Sequence, residues 1–435
     1  MRRAPRNLQI AFNHRGLTHY GGVFFFHEFL RVLQLRDRLH RRLHYPRPNH
    51  DYSLPQMVLA LIYPIMLGLD RLETAALLRT NGTFQYLTGL PSYPDSQTLR
   101  RFLLQAPPDF REQLHRFNDW LLVQFIHRPE HRSRLILDLD STVVTVFGRQ
   151  EGAEVGYNPR YRGKRSYDPL LCVEANSAFL WDTEMRAGNA GTWDRSPELL
   201  ASCFLSLPAD LRELRVRADA GFGFHPVLAM LEQRPAQYAV VARMASGLKQ
   251  KLGALRYQRL NARWEIGECE YRAQGWPQPR RCIVARRQME ETEPQPTLFT
   301  LQRYAYRAWI TNLSLTPAGV WHYYDGRAGM ERRIRELRED FALRKIPTRA
   351  FAANALYLEV VRLAYNLVTA FQQTCVPEGW RDLTLSRLRH KLFWLPGELT
   401  RPGNRPTLRL AEIPENKAAI EKILNAVHKQ KPLSD

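Results

Sequence analysis

Two acidic residues interrupt an otherwise aliphatic segment at 135–142. On a β-strand, side chains two positions apart lie on the same face, so Asp138 and Asp140 point the same way while the leucines pack on the other side. A carboxylate at the end of a buried strand is costly unless it is paired, hydrogen-bonded or bound to a metal. The segment alone fits a metal-binding strand end and a simple turn capped by Asp140 equally well.

Two later acids stand in comparable settings. Asp219 ends a predicted strand, and Glu331 lies on a predicted basic helix, on one face with Arg327 and Arg338. An ordinary surface helix with ion pairs also fits this helix. Carboxylates that converge from separate elements are what two-metal phosphoryl transfer needs, with ions roughly 3.5–4 Å apart. Oxygen ligands of this kind suit Mg²⁺.

The charge balance favours a polyanionic partner. The chain has 63 Lys and Arg residues against 43 Asp and Glu residues, a formal net charge of +20. Nucleic acid is the partner that this excess favours most, although a ribosome-associated or membrane-surface protein shows the same balance. No run approaches the roughly 18 apolar residues of a membrane span. The five cysteines form no CxxC pair, which favours a reduced, cytoplasmic protein.

A specific resemblance follows from the spacing around the third acid. Tyr324, Arg327 and Glu331 match a Tyr-x2-Arg-x3-Glu-x6-Lys signature in type and spacing, and Arg338 stands where that signature has lysine. The signature marks one branch of the DDE transposases of bacterial insertion sequences (DDE group 1), and the chain resembles this branch. Arginine in place of lysine keeps the charge but presents a planar fork instead of a point cation.

The other acids fit the same family. Asp140, in Asp-Ser-Thr, resembles its first acid, and Asp219, in Arg-Ala-Asp-Ala-Gly-Phe, its second, with Asp138 as the alternative for the first. Segments 156–171 and 186–189 also look like this branch. The resemblance implies an α/β fold, namely an RNase H-like mixed sheet flanked by helices, with a helical N-terminal region and a β-rich insertion.

The resemblance also implies the site. Asp140, Asp219 and Glu331 would be the catalytic residues and would hold two Mg²⁺ ions, for which Mn²⁺ can substitute. Tyr324, Arg327 and Arg338 would clamp DNA phosphates near the cleaved end. Further DNA contacts are predicted for loop and helix cations that solvated surfaces explain as readily: Arg162, Lys164, Arg165, Arg100 and Arg101.

Five regions are predicted in chain order. They are a helical N-terminal DNA-binding or assembly region (1–130), the first part of the catalytic core (131–244), a β-rich insertion with proline-rich turns at 276–279 and 293–296 (245–312), the helical last part of the core (313–372) and a basic, peripheral C-terminal tail (373–435).

The predicted activity is cleavage of insertion-sequence ends and joining of the 3′-OH to target DNA. Its partners would be double-stranded DNA, as terminal inverted repeats and target, with the protein a homodimer on DNA, associated with the bacterial nucleoid and not with a membrane. The alternatives are an RNase H-like nuclease without strand transfer and a non-catalytic, transposase-derived DNA-binding regulator.

Overall fold

The computed structural model describes residues 9–11, 14–46, 51–126, 133–191, 193–289 and 304–434. The proline-rich turn predicted at 293–296 lies outside these residues. The chain divides into two compact units. The helical unit comprises Met1–Phe117, Glu339–Thr348 and Ala352–Asp435, and the sheet unit comprises Asn118–Arg338 and Arg349–Phe351.

A nine-stranded mixed sheet forms the centre of the described sheet unit. Its strands are β1 (Arg134–Ser141), β2 (Leu170–Glu174), β3 (Leu180–Glu184), β4 (Glu213–Ala218), β5 (Gln237–Val241), β6 (Gln258–Arg259), β7 (Glu265–Tyr271), β8 (Arg280–Gln288) and β9 (Tyr304–Thr311). They lie in the order β6-β7-β8-β9-β5-β4-β1-β2-β3.

The strand directions give the sheet its fold class. β1, β2 and β3 pair antiparallel, as the predicted meander requires, whereas β1, β4 and β5 run parallel. An antiparallel meander whose first strand continues into parallel neighbours is the RNase H-like arrangement. The predicted fold class is therefore confirmed.

Strands from the predicted insertion extend this sheet. β9 pairs antiparallel with β5, and β8, β7 and β6 follow it outwards. Buried aromatic and aliphatic side chains cover one face of this extension, including Trp309, Trp321 and Ile283. The described residues 258–288 and 304–311 thus share a continuous sheet and a hydrophobic cluster with the parallel strands.

The second predicted strand, 166–175, is interrupted. Arg165–Tyr167 pairs with Val144–Thr145 and Glu154–Val155 in a small separate sheet, and β2 begins only at Leu170. The break falls at Pro169, which has no N–H to donate to a ladder. Asp168 N donates instead to the Arg186 carbonyl, at 3.1 Å.

Helices after β3 complete the sheet unit and lead to the last predicted acid. Their bounds are Ser196–Leu205, His225–Gln233, Ser246–Leu252, Pro317–Asp325 and Ala328–Glu339. The last of these is called the Glu331 helix below. It ends at Glu339, four residues before the end that the sequence predicts.

Helices dominate the chain before the sheet and after the Glu331 helix. Their bounds are Val23–Val32, Leu35–Arg42, Leu54–Leu67, Ala76–Arg79, Gly82–Leu87, Ser96–Leu104, Phe110–Phe125, Phe351–Cys375, Glu378–Arg381, Leu385–Leu388 and Pro414–His428. The helix predicted at 25–43 is two helices, because Gln34 takes a left-handed conformation with φ of 56°.

The C-terminal segment is integrated into the helical unit, which differs from the predicted peripheral tail. Gly397–Thr400 pairs with Leu17–Thr18 and with Thr407–Leu410 in a three-stranded sheet. Arg389, only 5% exposed, donates to the carbonyls of Met66 at 2.7 Å and Ile65 at 2.9 Å. Basic composition alone suggests a solvated tail, whereas Arg389 is buried and donates hydrogen bonds to buried backbone carbonyls.

None of the helices in the described residues combines the length and apolar composition needed to cross a membrane.

Candidate active site

Two acids follow neighbouring parallel strands at the same edge of the sheet. β1 and β4 are in register with Leu139 opposite Ala218, so Asp140 and Asp219 come next to each other along the two strands. Asp219 caps the short helical turn Ala220–Phe222, and its carboxylate accepts from Gly221 N at 2.9 Å. The sheet topology thus brings the first two predicted acids together.

Asp140 has a cationic partner inside the protein. Arg327 Nη2 donates to Asp140 Oδ2 and to the carbonyl of Leu139, both at 2.7 Å. The two side chains are only 10% and 17% exposed. Burial raises the pKa of Asp140, Arg327 opposes that rise, and the negative charge of Asp219 adds to it. Asp140 and Asp219 therefore influence each other electrostatically.

Tyr324 makes the matching contact at the second strand. Its hydroxyl donates to the carbonyl of Ala218, the residue before Asp219, at 3.3 Å. Burial raises the pKa of Tyr324 to about 12, so the hydroxyl carries its proton at neutral pH. Tyr324 and Arg327 thus each bind the carbonyl that precedes one of the two acids. In this structure, the two residues that were expected to bind DNA phosphates donate hydrogen bonds to backbone carbonyls at the strand ends.

The third acid lies beside a cavity at the same place. Glu331 is exposed in the first turn of the Glu331 helix. It lines a cavity of about 380 Å³ together with Tyr324, Arg327, Arg307 and Trp309. The two residues that hold the strand ends therefore share a cavity wall with the third predicted acid.

The donor chemistry suits a hard divalent ion, but the carboxylates are not gathered around one point. Asp140, Asp219 and Glu331 offer only oxygen ligands, which Mg²⁺ and Mn²⁺ prefer. Within the described residues, no group of at least three His, Cys, Asp or Glu side chains could hold a metal ion. One oxygen of Asp140 is instead bound to Arg327. The residue types fit the ion, and one of the three carboxylates already has a cationic partner within the protein.

Asp138, the alternative first acid, has a different environment. Its side chain accepts from Arg217 Nε at 2.6 Å and from Arg217 Nη2 at 2.8 Å. Arg217 also donates to the carbonyl of Tyr323 at 2.9 Å. Asp138 is 2% exposed and Arg217 4% exposed. This pair is a closed, buried contact between β1 and β4, and it leaves Asp140 as the acid next to Asp219.

Asp168 and Arg186 join the site although neither was singled out from the sequence. Asp168 Oδ2 accepts from Arg186 Nη2 at 2.5 Å, and the charge of Asp219 raises the pKa of Asp168 further after burial has raised it. The sequence did carry a signal for this pair, because Asp168 and Arg186 lie in segments 156–171 and 186–189, which resemble the family. Their backbones meet closely: a Cβ on Gly156 would lie 1.8 Å from the carbonyl oxygen of Gly188.

The remaining predicted DNA contacts lie in three places. Arg162, Lys164 and Arg165 are all exposed, in and next to the loop before the strand Arg165–Tyr167. Arg100 and Arg101 belong to the helical unit, on Ser96–Leu104. Arg101 is exposed, whereas Arg100 donates to the Pro347 carbonyl at 3.2 Å and pairs with Glu73. Arg338 is partly buried on the Glu331 helix.

Comparison with known families decides the class of protein. Residues 2–432 match the family model described as "Transposase DDE domain group 1". The chain belongs to this family. The predicted resemblance to DDE transposases is therefore confirmed, and the protein is a DNA transposase of a class whose DDE domains use divalent metal ions.

The other comparisons add little to the assignment of this DDE transposase. No curated protein matches the chain. Among solved structures, one match is a cryo-EM structure of a piggyBac transposase synaptic complex with hairpin DNA. Its sequence identity is 12%, the match covers 88% of this chain and 83% of that chain, and the TM-score is 0.45.

Proposed function

We propose that this DDE transposase cuts the ends of an insertion element and joins the freed 3′-OH to target DNA by two-metal phosphoryl transfer. One observation carries the proposal: Asp140 and Asp219 follow adjacent parallel strands, and Arg327, which binds Asp140, lines the same cavity as Glu331. Carboxylates supplied by two strand ends and a helix are the residue types that this chemistry uses.

Asp140, Asp219 and Glu331 are the proposed metal ligands and catalytic residues. When bound, two Mg²⁺ or Mn²⁺ ions would lower the barrier for attack by water in the first cut and by the 3′-OH in joining. The chain itself fixes where Asp140 and Asp219 stand, because Arg327 and Tyr324 hold the carbonyls just before them. Groups held in this way lose little freedom when substrate arrives, which favours reaction.

Double-stranded DNA, as terminal inverted repeats and as target, is the proposed substrate, bound by a homodimer in the bacterial nucleoid. Exposed cations at Arg162, Lys164 and Arg165 belong to the same unit as the acids and are proposed to bind the phosphate backbone. The formal charge of +20 supports a large phosphate contact area. Tyr324, Arg327 and Arg338 are proposed to lie near the cleaved end.

The test is a joining assay with a pre-nicked terminal-repeat duplex, supercoiled plasmid and Mg²⁺. Wild-type protein should give plasmid joined to the repeat, and Glu331→Gln should give none. Glu339→Gln is a matched control, since Glu339 is exposed at the end of the same helix and pairs with Arg344 at 2.5 Å. Nicking of an intact terminal-repeat duplex, run in parallel, without joining would favour the nuclease, and DNA binding without either step would favour the regulator.

A further inference from the structure

Arg327 occupies one of the two carboxylate oxygens with which Asp140 could coordinate a metal ion. Its Nη2 atom lies 2.7 Å from Asp140 Oδ2, and the contact is mostly buried. We propose that Arg327 is a resident counter-ion of Asp140, which competes with the divalent metal until DNA phosphate draws the guanidinium away. This inference rests on the proposed function, because it takes Asp140 as a metal ligand.

The guanidinium and a divalent ion cannot both bind that oxygen without strong repulsion. A Mg²⁺ ion lies about 2.1 Å from its oxygen ligands, closer than Arg327 Nη2 now lies to Asp140 Oδ2. Two cations at one carboxylate repel each other, and low exposure to water weakens the screening between them. Binding of the metal at this oxygen therefore requires Arg327 to leave it.

Arg327 has a second hydrogen bond that can hold it after it leaves Asp140, and it borders a cavity into which its guanidinium can move. Its second hydrogen bond, to the carbonyl of Leu139, does not involve the carboxylate and can persist when Asp140 is released. The side chain also lines the cavity of about 380 Å³ that Glu331 borders. A phosphate placed there would offer the planar guanidinium paired oxygen acceptors, a stronger match than one carboxylate oxygen.

A neighbouring arginine shows what a fixed pair looks like in the same sheet. Arg217 binds both oxygens of Asp138 and the Tyr323 carbonyl, and neither side chain exceeds 5% exposure. Arg327 instead uses one nitrogen for both of its contacts, and Asp140 keeps 17% of its side chain exposed. The Asp140 pair is the one built to exchange partners.

Exchange of this kind couples the metal to DNA. If phosphate and Asp140 compete for Arg327, then DNA raises the affinity of the site for metal, and metal raises the affinity for DNA by the same factor. The active centre would then be completed on DNA rather than in the free protein. Arg327 is thus a positioning residue that also sets when Asp140 becomes available.

Titration of the full-length, DNA-free protein with Mn²⁺ tests the competition directly, by the fraction of free Mn²⁺ in its paramagnetic resonance signal. Arg327→Gln should bind Mn²⁺ about tenfold more tightly than wild type, within the usual range of coupling between two binding events. Arg327→Lys keeps a cation and should stay near the wild-type affinity. Arg335→Gln removes an exposed charge from the same helix and should also leave the affinity near wild type.

The outcomes separate this inference from the proposed function. A tighter site in Arg327→Gln supports it, and a misfolded variant would not bind more tightly. Equal or weaker binding by Arg327→Gln, with binding abolished in Asp140→Asn, overturns the competition but leaves the metal site intact. Mn²⁺ binding that does not depend on Asp140 or Asp219 removes the metal site, and with it the proposed function.

A second measurement uses the wild-type protein and needs no variant. Phenylglyoxal modifies accessible arginine side chains, and the modified positions are found by peptide mass spectrometry. Saturating Mn²⁺ should increase modification of Arg327, since the metal displaces it from Asp140, while Arg335 stays unchanged. Unchanged protection of Arg327 in the metal-bound protein would overturn the inference.

Discussion

Asp138 and Asp140 lie two residues apart on one strand, and each is bound by an arginine, but their surroundings differ. Asp138 is enclosed between β1 and β4, with both oxygens held by Arg217. Asp140 stands at the strand end, where one oxygen meets Arg327 and the electrostatic influence of Asp219 is felt. The same pair of residue types is structural in one place and accessible to ligands in the next.

Geometry, rather than charge, makes this difference. Arg217 donates two hydrogen bonds to Asp138 and a third to the Tyr323 carbonyl, so its guanidinium is held from several sides. Arg327 uses a single nitrogen for its contacts with Asp140 and the Leu139 carbonyl, and its side chain lines a cavity. We therefore expect exchange of Arg327 for a metal ion at Asp140 and not at Asp138, so neutralisation should mainly cost activity at Asp140 and stability at Asp138.

The largest expected effect is loss of DNA cleavage on neutralising an acid of the proposed site. Asp140→Asn, Asp219→Asn and Glu331→Gln should each lower the rate of Mg²⁺-dependent cutting by about 10³-fold or more, because metal stabilisation of the transition state is worth several kcal/mol. The measurement is the initial rate on terminal-repeat DNA, with binding followed separately.

Asp138→Asn is the control for that experiment. The portion that folds should cut at close to the wild-type rate, since Asp138 is buried and both of its carboxylate oxygens are bound by Arg217. If Asp138→Asn abolishes cutting while folded and Asp140→Asn does not, the assignment of the first acid is reversed.

The loss of stability should rank the two variants in the opposite order, with Asp138→Asn affected more than Asp140→Asn. Asp138→Asn leaves the buried Arg217 without its anionic partner, and such a change costs about 3–5 kcal/mol. Asp140→Asn should cost clearly less, because Arg327 keeps the Leu139 carbonyl and borders a cavity. Urea unfolding followed by tryptophan fluorescence measures both. Equal losses for the two variants would mean that the two pairs are equally structural.

Local pattern was enough to predict the elements that carry the acids. Alternation of leucine with other residues defines β1, and the strand ending at Asp219 is equally plain in the sequence. Parallel pairing of these strands brings the acids together, so the first two members of the site follow from topology. The order of the sheet came from the resemblance, and the family match confirms that class.

Partners distant in sequence were beyond prediction. The Asp-Ser-Thr motif favours Asp140 over Asp138, but the arginine that binds each acid cannot be read locally, because Arg217 and Arg327 are supplied by other elements. The role of Tyr324 at the Ala218 carbonyl is hidden for the same reason. Arg100 likewise looks like an available cation until Glu73 and the Pro347 carbonyl are seen to engage it. Sequence predicts which side chains are cations, whereas packing decides which of them are available.

Joining should depend on Arg327 and Arg338 more than nicking does. Strand transfer must hold the new 3′-OH for a second attack, and charge-assisted bonds from arginine to phosphate are strong and directional. Arg327→Ala and Arg338→Ala should therefore lower joining about tenfold relative to nicking, since one such bond is worth roughly 1.5–3 kcal/mol. Nicking is measured on intact terminal-repeat duplex, and joining is measured on pre-nicked duplex with supercoiled plasmid. A proportional loss of both steps would place these arginines in structure or in general binding.

The smallest effects are expected for single cations on the surface. They compare exposed side chains with an arginine that is already bound within the protein. Each phosphate that a side chain neutralises contributes about −0.9 to the slope of log affinity against log salt concentration. Arg162→Ala and Lys164→Ala should each make the slope for duplex DNA shallower by about 1, since both side chains are exposed. Arg100→Ala should change it less, because that guanidinium is already bound to Glu73 and the Pro347 carbonyl. Titrations at several salt concentrations give the slopes. A larger change for Arg100→Ala than for the loop variants would move the phosphate-binding surface to the Ser96–Leu104 helix.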